Sequence, residues 1–301
     1  MQYYIAWTHS DLVYQQFLHD VGVLVSPPNV NLAWTVHKWP SLPKLLIVDS
    51  GAYQYNREGR SVTPADALTR QLAIIDGARL PIGICHLDLP MLTTRSQAEL
   101  DRRVLKSLEN AAWLMRYTRE NGLPANVEPI GVIQGYSVER VYVSAQSLAD
   151  MGYIRFAVGS LASLATRDLD EVMRRVEAAV EAVGTNVHVL GVSAIRLLHQ
   201  IARLGIRSVD SGSPIREAWM GGVYYSRPWR RYKVYSPHFK EWIRSYGFAE
   251  LLEAPLPCDC PVCQEDSSCI MQPAGKSNIN KRALHNCYHL MREFGQLGTE
   301  C

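Results

Sequence analysis

Short apolar segments alternate with amphipathic ones along the first 210 residues of the chain. Six apolar segments show little polar alternation, which is typical of strands that are buried on both faces. These predicted strands cover residues 44–51, 81–90, 128–135, 154–160, 187–193 and 206–212. Because amphipathic helical patterns lie between them, the chain is predicted to be an α/β protein with a parallel sheet.

The helical patterns begin at residues that commonly cap helices. Thr63 precedes a proline, Ser96 lies three residues before Glu99, and Asp168 precedes a third pattern. A fourth pattern begins at Ser193. A glycine closes five patterns, at positions that favour a left-handed cap: Gly77, Gly122, Gly152, Gly184 and Gly205.

Two folds satisfy this alternation, a closed (β/α)₈ barrel and an open doubly wound sheet. No glycine-rich dinucleotide fingerprint follows the first strand, which favours the barrel. We expect the two unassigned strands within residues 1–40 and 220–247. We expect a catalytic barrel over residues 1–250, and a small subdomain over residues 251–301 with a closing helix from about Lys281.

Composition restricts the binding partners. The net charge is +2 and 20% of residues are charged, so a surface for nucleic acid must be local. Residues 219–246 are rich in aromatic and basic side chains, a mixture that neutralises phosphates and stacks on an extruded base. The alternative is a small apolar cluster with snorkelling arginines. We select four residues of this stretch for phosphate contact: Arg227, Arg230, Arg231 and Lys233.

The hydrophobic segments are all shorter than a membrane span, which needs about 18 apolar residues. The first residues lack a basic flank followed by an apolar core, so no signal peptide is predicted. We therefore expect a soluble, cytoplasmic protein without a membrane partner.

Polar side chains occur where the predicted strands end. In a parallel barrel these ends converge on the active site. The residues are Asp49, Asp88, Gln134, Ser160 and Asp210. A lone Asp at such a position is more often a helix cap, but the set points to one pocket. Paired carboxylates suit glycosyl-bond chemistry, in which one attacks the anomeric carbon and the other protonates the leaving group. The pattern leaves open which Asp has which role.

Cysteines are concentrated near the end of the chain. Cys258, Cys260 and Cys263 form a C-x-C-x₂-C triplet, and thiolates so close together favour a zinc ion. Cys₃His is a common structural zinc set, so His285 or His289 is the expected fourth ligand. Other candidate ligands are Cys269 and Cys287.

Several segments resemble, in order, motifs of the tRNA-guanine transglycosylase family. They are DSGAYQ (49–54), HLDLP (86–90), GVIQG (131–135), AVGSLA (157–162), VLGVS (189–193), GIRSVDSGSPIR (205–216) and the C-x-C-x₂-C…His element. The resemblance covers residues 45–290. It implies an irregular (β/α)₈ barrel with a structural Zn²⁺ subdomain near the C-terminus, and its His-Asn pair selects His285 as the fourth ligand.

The resemblance also implies roles for single residues. Asp210 would attack C1′ of the target nucleotide to form a covalent glycosyl-enzyme, and Asp49 would act as the acid/base. The other matched positions would bind the base: Ser50, Tyr53, Asp88, Gln134, Gly159, Ser160, Leu161 and Leu190. Arg216 would contact the nucleic acid.

The chain departs from the tRNA enzymes of this family at several motif positions. DSGGFQ has become DSGAYQ, AVGGLA has become AVGSLA, and P-T-R has become Pro214-Ile215-Arg216. These changes resemble the branch that inserts 7-deazaguanines into DNA. They favour DNA over tRNA as the nucleic-acid partner and a preQ0-like 7-deazaguanine base as the second substrate. A homodimer is one open arrangement. The alternatives are a tRNA enzyme of queuosine or archaeosine type, a non-catalytic nucleic-acid-binding relative and an ordinary sugar hydrolase.

Overall fold

The computed structural model describes residues 1–30, 36–91, 96–162, 164–165, 167–234, 250–272 and 275–295. Packing divides the chain into two compact units. The first comprises Met1–His9 and Gly22–Ser211, and the second comprises Ser10–Val21 and Gly212–Cys301. The domain boundary expected at residues 250–251 stays a prediction.

Eight parallel strands of the first unit close into a barrel. They are β1 (Gln2–Trp7), β2 (Gly22–Val25), β3 (Leu45–Val48), β4 (Ile82–Cys85), β5 (Val127–Ile133), β6 (Phe156–Val158), β7 (Val187–Val189) and β8 (Ser208–Ser211). Neighbours in the chain pair in order, and β8 closes the barrel on β1 with Asp210 opposite Tyr4. The closed order confirms the α/β barrel and excludes an open doubly wound sheet.

The two strands that lacked a sequence assignment, β1 and β2, both lie within residues 1–40. The expectation that residues 220–247 also supply a barrel strand is wrong for the part of that range that the structure describes. Gly222–Tyr225 and Arg230–Lys233 instead pair antiparallel across a short turn. Such a hairpin cannot join an all-parallel barrel, because parallel neighbours need a long crossover connection.

Six α-helices accompany the barrel strands in the part of this unit that the structure describes. They are α1 (Ala52–Arg57), α2 (Pro64–Ile75), α3 (Gln97–Asn121), α4 (Val138–Asp150), α5 (Leu169–Val183) and α6 (Ile195–Arg203). The predicted caps are confirmed at Thr63, Ser96 and Asp168, each of which accepts a hydrogen bond from the backbone N–H three residues later. The fourth pattern forms α6, two residues beyond the predicted start at Ser193.

One buried side chain connects the ends of two barrel strands. The amide nitrogen of Gln71, on α2, donates to the carbonyls of Val48, Asp49 and Cys85 at 3.1, 3.1 and 2.8 Å. Gln71 is 2% exposed, so these bonds are shielded from water. They fix the end of β3 against the end of β4, where the polar residues of the site begin.

In its described residues, the second unit contains a small sheet and three α-helices. The strands are β9 (Gly222–Tyr225), β10 (Arg230–Lys233) and β11 (Glu250–Leu251), and the helices are α7 (Ser213–Trp219), α8 (Pro261–Asp266) and α9 (Lys276–Glu293). The predicted closing helix therefore begins five residues before Lys281. On α9, the amide of Asn286 accepts from the N–H of Tyr224 at 2.8 Å and donates to the carbonyl of Pro214 at 3.1 Å, which joins α9 to the sheet and to α7.

Part of the aromatic and basic stretch lies outside the described residues. These positions are Tyr235, Phe239, Lys240, Trp242, Arg244 and Tyr246, and Cys301 also lies outside. Within the described ranges, no helix combines the length and the apolar character that crossing a bilayer requires.

Candidate active site and metal centre

Three aspartates meet at the C-terminal ends of the barrel strands. Asp49 directly follows β3, Asp88 lies three residues after β4, and Asp210 lies in β8. The thiol of Cys85 is buried among them. Its pKa is raised well above its usual value by burial first, and then by the charges of all three aspartates. The sequence prediction that these carboxylates converge on one region thus agrees with the placement of the side chains.

The environment of Asp49 favours the protonated form of its carboxyl group. Its pKa is raised mainly by burial, and the charge of Asp210 raises it further. The backbone N–H of Gly51 and the hydroxyl of Ser26 donate to Oδ2 of Asp49, at 3.2 and 3.4 Å, and oppose this shift. Gly51 has a φ of 82°, and a Cβ built there would lie 2.6 Å from Pro28, so this turn requires glycine.

Asp88 is the centre of a buried hydrogen-bond network. The amide nitrogen of Gln134 donates to its Oδ2 at 2.6 Å, and the hydroxyl of Ser50 donates to its Oδ1 at 3.2 Å. Burial and the charge of Asp49 nevertheless raise the pKa of Asp88 to about 7. A carboxyl group with this pKa changes charge near neutral pH, where it can accept or donate hydrogen bonds to a bound ligand.

Ser160 orients the other end of the Gln134 amide. Its hydroxyl donates to Oε1 of Gln134 at 2.7 Å and accepts from the N–H of Met91 at 2.8 Å. The residue has a φ of 59°, a left-handed conformation that a residue with a side chain rarely adopts. Strain of this kind persists where the surroundings fix the backbone, and it concentrates at functional sites.

Gly159 and Leu161 flank Ser160 and support it in different ways. A Cβ at Gly159 would lie 2.4 Å from Nε2 of Gln134, so only glycine leaves room for that amide. The N–H of Gly159 already donates to the carbonyl of Ile133 at 3.1 Å. The side chain of Leu161 is 1% exposed and belongs to the core, so only its backbone could meet a ligand.

Asp210 is held by the segment at the end of β7. The N–H of Gly191 donates to Oδ1 of Asp210 at 2.9 Å, and Nε2 of His188 lies 3.1 Å from the same oxygen. Sequence reasoning missed His188. The available signal was a histidine at the centre of the apolar strand Val187–Val189, where a polar side chain needs a buried partner.

The two residues expected to sandwich the base lie on opposite sides of the barrel. Tyr53 is on α1, just after β3, and its side chain is 53% exposed. Leu190 directly follows β7 and packs partly against the barrel core. Four strand positions separate β3 from β7 in the eight-stranded barrel, so these side chains can approach a flat ligand from opposite directions.

The basic residues selected for phosphate contact have different environments. Arg216, Arg227 and Arg230 are exposed, whereas Arg231 is half-buried and pairs with Glu217 at 3.2 Å. Lys233 is 2% exposed, and its ammonium donates to the carbonyl of Met220 at 2.6 Å. This placement argues against phosphate contact by Lys233, because the pairing of β10 within its sheet turns the charge inward.

A Cys₃His cluster in the second unit has the geometry of a metal site. Cys258, Cys260, Cys263 and His285 offer ligand atoms that all lie within 4.8 Å of one another. Nδ1 of His285 lies 3.8, 3.3 and 3.4 Å from the three sulfurs. A tetrahedral zinc ion with ordinary bond lengths requires a sulfur–nitrogen separation of about 3.5 Å. The residues therefore fit zinc, and Cys269 and Cys287 are not part of this set among the described residues.

The structure separates the roles of the two candidate histidines. His285 directs Nδ1 at the sulfurs and Nε2 at the carbonyl of Tyr224, at 2.8 Å, which is the usual second contact of a metal-binding imidazole. His289 accepts at Nδ1 from the N–H of Ser226 at 3.1 Å, so its proton is on Nε2, 3.2 Å from the sulfur of Cys258. The geometry thus makes His285 the candidate fourth ligand, and Nε2 of His289 donates to one of the sulfurs.

Comparison with known proteins gives two findings. A segment of 91 residues, 30% of the chain, is 29% identical to a protein from Salmonella montevideo named DNA-guanine transglycosylase. That match spans 22% of the length of the Salmonella protein. The sequence model of the family described as queuine tRNA-ribosyltransferase matches residues 23–299, nearly the whole chain. A barrel with this arrangement of acids, a Cys₃His cluster and a match of this extent together show that the chain belongs to the queuine tRNA-ribosyltransferase family.

Proposed function

We propose that the protein is a guanine transglycosylase that exchanges a guanine base in nucleic acid for a preQ0-like 7-deazaguanine. The observation that carries the proposal is the convergence of Asp49 and Asp210 at the ends of β3 and β8, beside the network around Asp88. A pair of carboxylates next to a polar pocket is the arrangement that glycosyl transfer requires.

In the first half-reaction, a carboxylate oxygen of Asp210 attacks C1′ of the target nucleotide. The C1′–N9 bond breaks, its electron pair goes to the departing guanine, and a covalent glycosyl ester forms on Asp210. Asp49 donates the proton that the departing base requires. The raised pKa of Asp49 supports this role, because burial keeps its proton available at a higher pH than for an exposed aspartate.

The second half-reaction reverses these steps with another base. Asp49, now ionised, removes the proton from N9 of the incoming 7-deazaguanine. N9 attacks C1′, the C1′–O bond breaks, and its electrons return to the carboxylate of Asp210. One residue thus acts first as acid and then as base, as microscopic reversibility requires.

The network around Asp88 matches the hydrogen-bonding edge of guanine. Ionised Asp88 can accept from N1–H and from the exocyclic amine, and the amide of Gln134 or the backbone N–H of Leu161 can donate to O6. The hydroxyl of Ser50 holds the side chain of Asp88 in position, and that of Ser160 holds the amide of Gln134. A base that lacks these donors would exclude water from the buried carboxylate without replacing its hydrogen bonds, which is the proposed basis of selectivity.

The target base must leave its stack to reach this pocket. Tyr53 and Leu190 would then contact its two faces, and stacking on an aromatic ring contributes about 1–3 kcal/mol per base. Exposed Arg216, Arg227 and Arg230 are the proposed contacts to phosphates.

DNA is the proposed nucleic acid. The partial similarity to a protein named DNA-guanine transglycosylase and the altered family motifs both support this choice. tRNA is the second candidate, because the family description names a tRNA-ribosyltransferase.

We also propose that Cys258, Cys260, Cys263 and His285 hold a structural zinc ion. When bound, the zinc would contribute folding free energy, since three thiolates leave it little Lewis acidity. The catalytic residues named above belong to the other unit of the chain.

The test offers the protein radiolabelled guanine together with duplex DNA, single-stranded DNA or bulk tRNA. Incorporation into either form of DNA supports the proposal, and incorporation into tRNA alone selects the second candidate. Asp210→Ala should abolish both incorporation and a denaturation-resistant protein–nucleic-acid adduct. Asp150→Ala removes an exposed carboxylate at the end of α4 and should leave both unchanged. Absence of exchange into all three nucleic acids by the wild-type protein would refute the activity.

A further inference from the structure

His188 occupies the centre of β7 and faces the interior of the barrel. It is 1% exposed, and the ring of Tyr4 meets its imidazole edge-on at a centroid distance of 5.4 Å. Its two nitrogens have different partners, Ser208 at Nδ1 and Asp210 at Nε2, at 2.8 and 3.1 Å. A histidine enclosed in this way cannot exchange these partners for water.

The strand register explains why His188, Ser208 and Asp210 lie close together. Residues two apart on a strand point to the same side, so Ser208 and Asp210 of β8 share a face. His188 is the register partner of Ser208 on the neighbouring strand. Its imidazole therefore lies between the hydroxyl of Ser208 and the carboxylate of Asp210.

The chemistry of Asp210 determines the direction of the hydrogen bonds. An ionised carboxylate is only an acceptor, so Nε2 of His188 must carry a proton. In the neutral imidazole Nδ1 is then an acceptor, and the hydroxyl of Ser208 donates to it. With a neutral imidazole and an ionised carboxylate, the order of donation would be Ser208 to His188 to Asp210.

The two donors to Asp210 differentiate its oxygens. Both the N–H of Gly191 and Nε2 of His188 bond to Oδ1. An oxygen that accepts two hydrogen bonds is the weaker nucleophile, so Oδ2 is the atom expected to attack. The donors also fix the plane of the carboxylate, because rotation about its last bond would break both contacts.

We propose that His188 is a positioning residue for the nucleophile Asp210 and selects Oδ2 as its attacking atom. This inference rests on the proposed function. When Oδ2 forms its bond to C1′ and the C1′–N9 pair leaves with guanine, Oδ1 becomes the carbonyl oxygen of the ester. The same donors then polarise that carbonyl and assist the return of electrons to Asp210 when the second base attacks C1′.

Single-turnover adduct formation tests the role of His188. His188→Phe keeps a ring against Tyr4 but removes the donor, and the rate of adduct formation should fall about 10- to 100-fold, the usual effect of losing one hydrogen bond to a charged group. His188→Gln restores an N–H near the Nε2 position and should recover most of the rate. The dissociation constant of guanine should be unchanged in both variants, because neither alters the Asp88 network.

Two further variants separate positioning from general damage to the barrel. Tyr4→Phe removes the hydroxyl that lies 3.4 Å from the guanidinium of Arg155 and should react at the wild-type rate. Ser208→Ala removes the donor to Nδ1 and should slow adduct formation about two- to tenfold. If His188→Phe does not fold, as judged by circular dichroism, the adduct rates of Ser208→Ala and His188→Gln test the positioning role instead.

The outcomes distinguish this inference from the proposed function. A wild-type adduct rate in His188→Phe or in Ser208→Ala would overturn the positioning role while exchange by the wild-type protein still stood. If His188→Gln forms the adduct more slowly than His188→Phe, the positioning role is also overturned, because the N–H donor to Asp210 would then not matter for the rate. If the wild-type protein forms no adduct and exchanges no base, the proposed function fails first.

Discussion

The amide nitrogen of Gln134 lies 2.6 Å from Oδ2 of Asp88, although 46 positions separate the two residues along the chain. The contact joins the ends of β4 and β5 at the centre of the candidate base pocket. It lowers the pKa of Asp88, but burial and the charge of Asp49 outweigh it and hold that pKa at about 7. The protonation of this carboxyl group should therefore control base binding near neutral pH.

We expect the affinity for guanine to depend on pH through Asp88. Above pH 7 the carboxylate is ionised and accepts from N1–H and the exocyclic amine. Below pH 7 it is protonated, so affinity should decrease as the pH falls, by up to about tenfold per unit. Equilibrium dialysis of radiolabelled guanine between about pH 5.5 and about pH 8.5 measures this dependence of affinity on pH.

Asp88→Asn provides the control for that measurement. It preserves the size of the side chain but cannot titrate, so its guanine binding should be weak and independent of pH. A wild-type pH profile in Asp88→Asn would assign the titration to another group, such as Asp49.

Ser160→Gly should separate stability from base affinity. Glycine adopts the left-handed backbone of this position without strain, so Ser160→Gly should be more thermally stable than Ser160→Ala, which loses the same bonds to Gln134 and Met91. Loss of the hydroxyl frees the amide of Gln134 to rotate, and the affinity for guanine should fall about three- to tenfold, as for one neutral hydrogen bond. Dialysis and thermal unfolding measure the two effects.

Ser160→Ala is the matched variant, because it removes the same hydroxyl but retains a Cβ at positive φ. It should show the same loss of affinity, without the gain in stability that glycine brings. Unchanged guanine binding in both variants would show that the bond to Gln134 does not matter for the base.

Asp49→Asn should slow base exchange by about 10²–10⁴, the usual contribution of a positioned acid/base. Asparagine keeps the contacts of Gly51 and Ser26 in similar positions but cannot transfer the proton. Multiple-turnover exchange of labelled guanine measures the effect. Ser26→Ala, which removes only the 3.4 Å contact to Oδ2, should have a much smaller effect. Unimpaired exchange in Asp49→Asn would reassign the proton transfer to another residue.

Cys260→Ser should lose the metal and destabilise the second unit. Its sulfur lies 3.3 Å from Nδ1 of His285, and the residue is fully buried, so the substitution removes one of the four candidate ligand atoms from inside the cluster. Metal analysis should show loss of zinc together with a lower unfolding temperature. Cys269→Ser is the matched control, because Cys269 contacts Asp266 rather than the cluster, and it should retain zinc. Equal metal content in all three proteins would refute the assignment.

Local sequence signals predicted the barrel and most positions of its polar residues. Strand ends are marked in the chain itself, since an apolar run stops at a polar residue and a capped helix follows. This is why Asp49, Asp88 and Gln134 could be placed at one end of the sheet before their contacts were known. The motif resemblance added the roles of the individual acids.

Other features depend on which side chains meet, and the chain order does not encode that locally. Residues 220–247 contain apolar segments, but only their antiparallel pairing shows that the described part forms another sheet. Lys233 resembles a phosphate contact in the sequence, yet the register of β10 directs its ammonium to the carbonyl of Met220. In such cases the same residue pattern is compatible with a buried side chain and with an exposed one.

The sequence by itself determined the alternation of strands and helices, the positions of the strand-end acids and the C-x-C-x₂-C triplet, because each is a short-range pattern. The spacing left His285 and His289 open, and the motif resemblance selected His285. Only the tertiary structure showed the physical reason: Nδ1 of His285 faces all three sulfurs, whereas Nε2 of His289 lies against the sulfur of Cys258. Likewise, only the tertiary structure placed His188 against Asp210. A strand of three residues does not reveal which side chains point inward, and the strand register decides which of them meet.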